Sequence, residues 1–180
     1  ALSLTVISLV ASACLGFVYE LTKEPIAESI LNKKLEAISN VVPEFNNDPN
    51  AEMFRIADAN GDSLEVYPAI MDGDTVGFAV NTFTTKGFSG NISLMAGFLP
   101  DGTITDITVL EQKETPGLGT KMAEPEFKDQ FKGINPSGDE LKVVKDGGKV
   151  DAITAATISS RAFCDAVNKA YDALQKGGLK

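Results

Sequence analysis

Four side-chain hydroxyls fall within seven residues, at Thr154, Thr157, Ser159 and Ser160 of the run Asp151-Ala152-Ile153-Thr154-Ala155-Ala156-Thr157-Ile158-Ser159-Ser160-Arg161. A Ser or Thr hydroxyl can accept hydrogen bonds, donate one, or be esterified when something activates it. Directly downstream, Phe163, Ala166, Val167, Ala170, Tyr171 and Leu174 recur at steps of three and four, the spacing of one apolar helix face. The hydroxyl run therefore sits at a helix N-terminus. Ser and Thr are favoured there because they accept bonds from unpaired amides. The outward N–H groups and the positive end of the helix dipole also make such a terminus a site for phosphate. A capped helix start and a phosphate site are both open on this pattern, although the run holds more hydroxyls than a cap can use.

The rest of the composition narrows the chemistry. The chain has 180 residues, no His, no Trp and a net charge of −9. An acidic chain is a poor partner for nucleic acid, whose phosphates attract Lys and Arg. Without His, imidazole acid–base catalysis is absent, and zinc and haem lose their commonest ligand. Cys14 and Cys164 are too few for a four-thiolate cluster and too far apart for a CxxC pair, and no disulfide between them is expected. No metal site is expected. Any redox chemistry must come from a cofactor that the protein positions.

The elements that must do the positioning read as α+β. Ala1 to Tyr19 carries no charge and would span about 28 Å as a helix, near the thickness of a bilayer core. A single transmembrane anchor is the first reading. A secretory signal, a lipoprotein signal around Ala11-Ser12-Ala13-Cys14, and a buried core helix compete with it. The chain opens inside the apolar run without Met, so further N-terminal residues are expected. Glu20, Lys23 and Glu24 give no orientation by charge. A continuing or second helix is expected from Thr22 to about Val42, with Pro25 as a kink or new start and Pro43 as its end. Strands are expected at Met53–Ala57, Leu64–Ile70, Val76–Phe83, Ile92–Leu99 and Ile104–Leu110. The breaks between them contain Gly, at Asn60-Gly61-Asp62, Asp72-Gly73-Asp74, Gly87–Gly90 and Pro100-Asp101-Gly102, which favours an antiparallel meander. The stretch Asp58–Asp62 lacks the ligand spacing of a calcium loop and reads as a turn. A short helix is expected over Lys121–Lys132 with Met122, Phe127 and Phe131 buried, a short strand over Leu141–Lys145, and a C-cap at Gly177-Gly178.

A second stretch bears on the site. In Glu114-Thr115-Pro116-Gly117-Leu118-Gly119, Pro116-Gly117 fits the centre of a type II turn with Gly at positive φ. Gly119 would keep the next peptide uncovered for a planar ligand. Together the two stretches resemble the FMN-binding domain family. Its flavinylation motif, Asp-x-x-Ser-Gly-Ala-Thr-x-x-Ser, is matched by Asp151, Thr154, Ala156, Thr157 and Ser160, with Ala155 where the family has Gly. Its Glu-Thr-Pro-Gly-Leu-Gly hallmark is matched in full by Glu114 to Gly119. Lys86-Gly87-Phe88-Ser89-Gly90 resembles its Gly-aromatic segment. The resemblance covers roughly Asp58 to Leu174.

The resemblance implies an N-terminal transmembrane helix followed by an FMN-binding domain with a largely antiparallel sheet and flanking helices. The expected divisions are an anchor over residues 1–21, a juxtamembrane helix over 22–43 and the FMN-binding domain over 44–180. A single anchor with a compact domain is similar to the G subunits of Rnf complexes, which couple electron transfer between ferredoxin and NAD to Na⁺ or H⁺ transport. The C subunits of sodium-pumping NADH:quinone oxidoreductases are the alternative. The implied cofactor is FMN esterified through its phosphate to Thr157. The implied surroundings are Thr154, Ala156, Ile158, Ser159 and Ser160 at the helix start, with the amides of Ile158, Ser159 and Ser160 facing the phosphate. Glu114, Thr115, Gly117, Leu118, Gly119, Phe88 and Met95 would lie around the ring, and Lys121 would favour a reduced anionic flavin. Ser159 and Ser160 stand as alternative acceptor hydroxyls. Asp151, Thr154 and Thr157 would be recognised by a flavin transferase during maturation. The implied partners are other membrane, flavin or Fe–S subunits of an Rnf-type complex, in the cell membrane with the soluble domain on the extracytoplasmic side. A membrane-anchored binding or assembly domain without covalent flavin, and a free-standing flavin reductase, are the remaining classes. No acid–base set supports the reductase.

Overall fold

The computed structural model of the chain describes residues 2–58, 61–138 and 140–177. It divides into a first unit ending at Leu35 and a second beginning at Glu36. Helix α1 runs over Leu2–Val41 and continues through Pro25, so no second helix begins there. The span Ser3–Val41 is long and apolar enough to cross a membrane by length and composition, and none of its most apolar window is buried. Ser8, Ser12 and Thr22 return their hydroxyls to carbonyls four residues earlier, which satisfies those polar groups inside the helix.

The second unit is built on a five-stranded antiparallel sheet whose spatial order is the chain order. Its strands are β1 (Phe54–Ala57), β2 (Ser63–Met71), β3 (Asp74–Gly87), β4 (Gly90–Phe98) and β5 (Ile104–Glu111). The expected meander is present. Asp72 and Gly73, both at positive φ, form the two-residue β2–β3 loop that matches strand twist. Alternation assigns the faces. Val66, Val80, Ala96 and Ile107 lie opposite one another across four strands and are fully buried. Over them lies helix α3 (Thr157–Gly177), with all six residues of its expected apolar stripe buried. Alanines at 162, 166 and 170 keep the helix close, and Thr82 donates to the Ala166 carbonyl at 2.9 Å.

Tyr67, Ala79 and Gly97 align on the other face. The end of α1 covers it through Ala37, Ile38, Val41 and Val42, all buried. Val41 lies so close that a Cβ on Gly97 would collide with its carbonyl, which also accepts the Thr105 hydroxyl. Met95 pairs with Asn81 on this second face and is fully buried. It is therefore separated from α3 by the sheet and is not available to pack on a ligand beside Thr157, contrary to the expectation from sequence.

Two further expectations change. The Lys121–Lys132 segment is a 3-10 turn (Gly119–Ala123), a four-residue helix α2 (Pro125–Lys128) and another 3-10 turn (Asp129–Phe131). Pro125 disfavours helical geometry at the preceding residue, and Glu124 is extended with ψ 144°. Met122, Phe127 and Phe131 are buried as expected, and Phe127, Phe131 and Phe163 form one aromatic cluster. Leu141–Lys145 is not a strand. Val143 makes a single bridge to Val150, a 3-10 turn over Val144–Asp146 follows, and Gly147 at φ 84° reverses the chain. The Asn168 side chain takes both backbone groups of Leu141, so that residue needs no strand partner. Gly177 is the last residue of α3, and Gly178 lies outside the described residues, as do Ala59 and Asn60 of the Asp58–Asp62 turn. Both cysteines are free, and burial pushes the Cys164 thiol up to about 12.

Gly97→Ala is expected to destabilise the second unit by about 2–3 kcal/mol through overpacking against Val41, seen as a lower thermal midpoint of the full chain. A pH effect follows from Asp106, which joins β5 to the α2 segment through Lys128 at 2.6 Å and Lys132 at 2.9 Å. Partial burial pushes its carboxyl up, but hydrogen bonds from both lysines and from the Ile107 amide outweigh that and hold it below the usual carboxylate range. Its stabilisation is complete above the unfolded-state value and is lost as pH falls through the lowered native one. Asp106→Asn should lower the midpoint at neutral pH and flatten its decline in acid.

Candidate functional site

Helix α3 starts where the hydroxyl run predicts, but no hydroxyl caps it. The first helical bond runs from the Ser160 amide to the Ala156 carbonyl at 3.0 Å, so Ala156 occupies the capping position. The unpaired amides of the first turn are those of Thr157, Ile158 and Ser159, one residue earlier than expected. Ser160 is fully buried. Its hydroxyl donates to Ala156 and accepts the Ile153 amide, both at 3.0 Å, so it pins the segment entering the helix to its first turn. Ala155 precedes the cap at φ 60°, the left-handed region where Gly is favoured. The Gly for Ala exchange noted in the sequence thus falls on a backbone position whose geometry explains the glycine.

Ser159 points the other way, into the domain. It is buried and donates to Glu114 Oε2. Glu114 is only 5 % exposed, and its Oε1 accepts the Ser89 amide at 2.9 Å. One carboxylate thus ties together the β3–β4 turn, the Glu114–Gly119 loop and the start of α3. Two glycines leave it room. A Cβ on Gly119 would lie 2.7 Å from Glu114 Oε2 and 2.7 Å from Ser159 Oγ, and one on Gly87 would lie 2.9 Å from Glu114 Oε1. Gly119 therefore makes space for a buried side chain and is itself buried, and it also lines the neighbouring cavity. The Thr115–Leu118 turn forms as expected: Leu118 N–H donates to Thr115, and Gly117 has φ 75°.

These segments enclose a cavity of about 300 Å³ lined by Phe88, Glu114, Thr115, Leu118, Gly119, Ala155, Ala156, Thr157, Ile158 and Ser159. Its rim is apolar and open to solvent, with Phe88 66 %, Ile158 48 % and Leu118 39 % exposed. Exposed large apolar groups converging on a concave site mark a surface for an apolar or planar ligand. Thr157 opens onto this cavity, next to unpaired amides suited to an anion.

A second cavity, about 340 Å³, lies beside the first and is more polar. Lys121, Asp151 and Thr154 line it, with Glu124, Glu126 and Gln130. Lys121 thus keeps company with Asp151 rather than with Phe88 and Leu118. Gln130, which the sequence did not single out, grips the Asp151 backbone, accepting its N–H at 2.8 Å and donating to its carbonyl at 3.2 Å. Lys145 was also missed. Its Nζ lies 3.4 Å from Thr157 Oγ1. No spacing rule connects residues twelve apart on opposite sides of a turn.

Ala155→Gly should relieve left-handed strain of about 1–2 kcal/mol, less the greater freedom of unfolded Gly, and raise the thermal midpoint by a few degrees.

The comparisons with known proteins agree with this geometry. A family model described as an FMN-binding domain matches residues 87–172, which take in both walls of the cavity. The G subunit of the Na⁺-translocating ferredoxin:NAD⁺ oxidoreductase complex of Acetobacterium woodii is 35% identical over 187 residues, covering 97% of this chain and 89% of the relative. The G subunit of the ion-translocating oxidoreductase complex of Methanosarcina acetivorans is 36% identical over 176 residues, covering 94% and 90%. Among solved structures, the C subunit of the Na⁺-translocating NADH-quinone reductase from Parabacteroides distasonis superposes with a TM-score of 0.55 at 23% identity, covering 76% of this chain and 78% of that one, a likeness of fold. Identity at the level of the two G subunits, over nearly the whole chain, shows that it belongs to the G-subunit family of ion-translocating oxidoreductase complexes and carries that family's FMN-binding domain.

Proposed function

We propose that the chain is a membrane-anchored electron relay that carries FMN as a phosphoester on Thr157, within an Rnf-type complex exchanging electrons between ferredoxin and NAD and driving Na⁺ or H⁺ transport. The observation that carries this reading is the sorting of the four hydroxyls. Ser159 and Ser160 are buried and engaged, Thr154 lines the polar cavity, and Thr157 opens onto the apolar-rimmed one. Fit supports it too: Phe88, Leu118 and Ile158 offer apolar surface to a ring, and the Thr157–Ser159 amides offer donors to a phosphate.

Bound FMN would supply the one- and two-electron chemistry, which this His-free chain lacks. The chain's own part is positional. Phe88, Leu118 and Ile158 would exclude water from the ring's surroundings, and Thr115 and Gly119 line the same cavity, whereas Gly117 does not and donates its amide to the Thr120 hydroxyl. Glu114 sets the distance between those walls. The first-turn amides would take the charge that a phosphodiester retains. Ala156 closes the turn, and Ser160 holds it.

Asp151, Thr154 and Lys121 line the neighbouring polar cavity, which favours recognition by a flavin transferase for Asp151 and Thr154 over contact with the ring. That placement also moves Lys121 away from a ring-facing role. The anchor over residues 1–21, the continuation of α1 beyond it and the domain over 44–180 would hold the relay against other membrane, flavin or Fe–S subunits, on the extracytoplasmic side of the cell membrane. The relatives favour the G-type over the C-type assignment. The reading of a binding or assembly domain without flavin loses its main support, because Ala155 adopts the backbone geometry that Gly would provide.

The full chain, co-expressed with a flavin transferase, should show in-gel flavin fluorescence after denaturation and one FMN by intact mass. Thr157→Ala should abolish both, while Thr154→Ala should leave any attached flavin on Thr157. A wild-type chain without covalent mass would rule out the phosphoester. A Thr157→Ala chain with full flavin mass would move it to another residue.

A further inference from the structure

The Lys145 ammonium lies 3.4 Å from the Thr157 hydroxyl oxygen, and the turn that carries it is held by the chain around it. Lys145 is the middle residue of the 3-10 turn Val144–Asp146. Before it, Val144 N–H donates to the Val150 carbonyl at 2.9 Å, and after it Gly147 reverses the chain at φ 84°. The next residue, Asp146, receives Arg161 Nε at 2.6 Å and Nη2 at 2.7 Å. Arg161 stands one helical turn beyond Thr157 on α3. A two-pronged guanidinium–carboxylate pair fixes orientation as well as distance. It therefore fastens the turn that carries Lys145 to the helix that carries Thr157. The same pairing holds the Asp146 carboxyl below its usual range.

Charge gives this arrangement a purpose. The chain carries a net charge of −9, so a phosphoryl group approaching Thr157 meets overall repulsion. A cation on the acceptor oxygen reverses that field where the new bond must form. At 3.4 Å the contact is long for a hydrogen bond, so the ammonium is close enough to act and loose enough to turn toward a phosphoryl oxygen.

We propose that Lys145 is the cation of the attachment step at Thr157, and that the Asp146–Arg161 fork is its positioning device. The proposal rests on Thr157 being the acceptor. In that step the Thr157 Oγ–P bond forms and the pyrophosphate P–O bond of FAD breaks. AMP leaves with the bridging oxygen, and the hydroxyl proton passes to the transferase or to solvent. Nothing is oxidised or reduced. Lys145 stabilises the oxygen as its proton leaves and then faces the single charge of the diester.

The test is a time course of flavin attachment to the full-length chain in detergent, with purified flavin transferase and FAD, followed by intact mass. Lys145→Met should lower kcat by about tenfold or more, with KM for the acceptor chain within about threefold and the thermal midpoint unchanged. Lys145→Arg should restore most of the rate. Asp146→Asn, which frees Arg161, should lose part of it. A Lys145→Met rate equal to wild type would overturn the proposal. So would a loss confined to KM, which would make Lys145 a docking residue, or an Arg variant as slow as the Met variant. Failure of the underlying reading is distinct: there the wild-type chain itself takes no flavin, or takes it away from Thr157.

Discussion

A carboxylate taken out of water needs a donor for each oxygen, and Glu114 obtains them from two different parts of the chain. The Ser89 amide comes from the β3–β4 turn and the Ser159 hydroxyl from the first turn of α3. Satisfying one side chain therefore brings three segments into register, and the apolar-rimmed cavity is the space they leave between them. The glycines of the neighbourhood follow from the same constraint. Gly119 is small because the carboxylate and Ser159 fill the volume that a side chain would take, and a side chain on Gly87 would meet the Gly90 carbonyl as well as the carboxylate. Glu114 and the last Gly of its hexapeptide answer a single packing requirement.

This arrangement stands on a rigid base. The meander is covered on one face by α3 and on the other by the end of α1, and both contacts depend on small residues, Ala166 and Ala170 on one side and Gly97 on the other. Helix α3 has two tasks. Its apolar stripe completes the core, while its first turn supplies Thr157 and the open amides. A displacement of its start would disturb core and site together, which makes the anchoring of that start by Ser159, Ser160 and Arg161 important for function as well as stability.

Much of this was legible in the sequence because periodic patterns and turn chemistry are local. The five strands, the α3 stripe, the Pro116-Gly117 turn and the buried Met122, Phe127 and Phe131 all follow from spacing over a few residues. The family's Gly at position 155 was compatible with close approach or with positive φ, and only the backbone, at φ 60°, selects the second. What escaped depends on contacts distant in sequence. Gln130 meets Asp151 across twenty-one residues, and Ser159 meets Glu114 across forty-five. Lys145 was hidden because a β-like composition around Val143 and Val144 suggested a strand up to it, and a turn after it does not show which element its side chain meets. The break before α2 in the Lys121–Lys132 segment comes from the reach of Pro125 onto its predecessor, where apolar spacing alone suggests a continuous helix. Met95 shows the period-two rule acting against a guess: its strand parity places it behind the sheet.

The burial of Ser159 and Ser160 has a consequence for any agent that acts on this chain from outside. Written as a string, the motif offers several interchangeable nucleophiles. In the folded domain, accessibility edits that string, and a modifying enzyme meets only the threonines, each facing a cavity of different character. Regiochemistry at this helix is then a property of the fold: the same peptide, unfolded, would present all its hydroxyls alike.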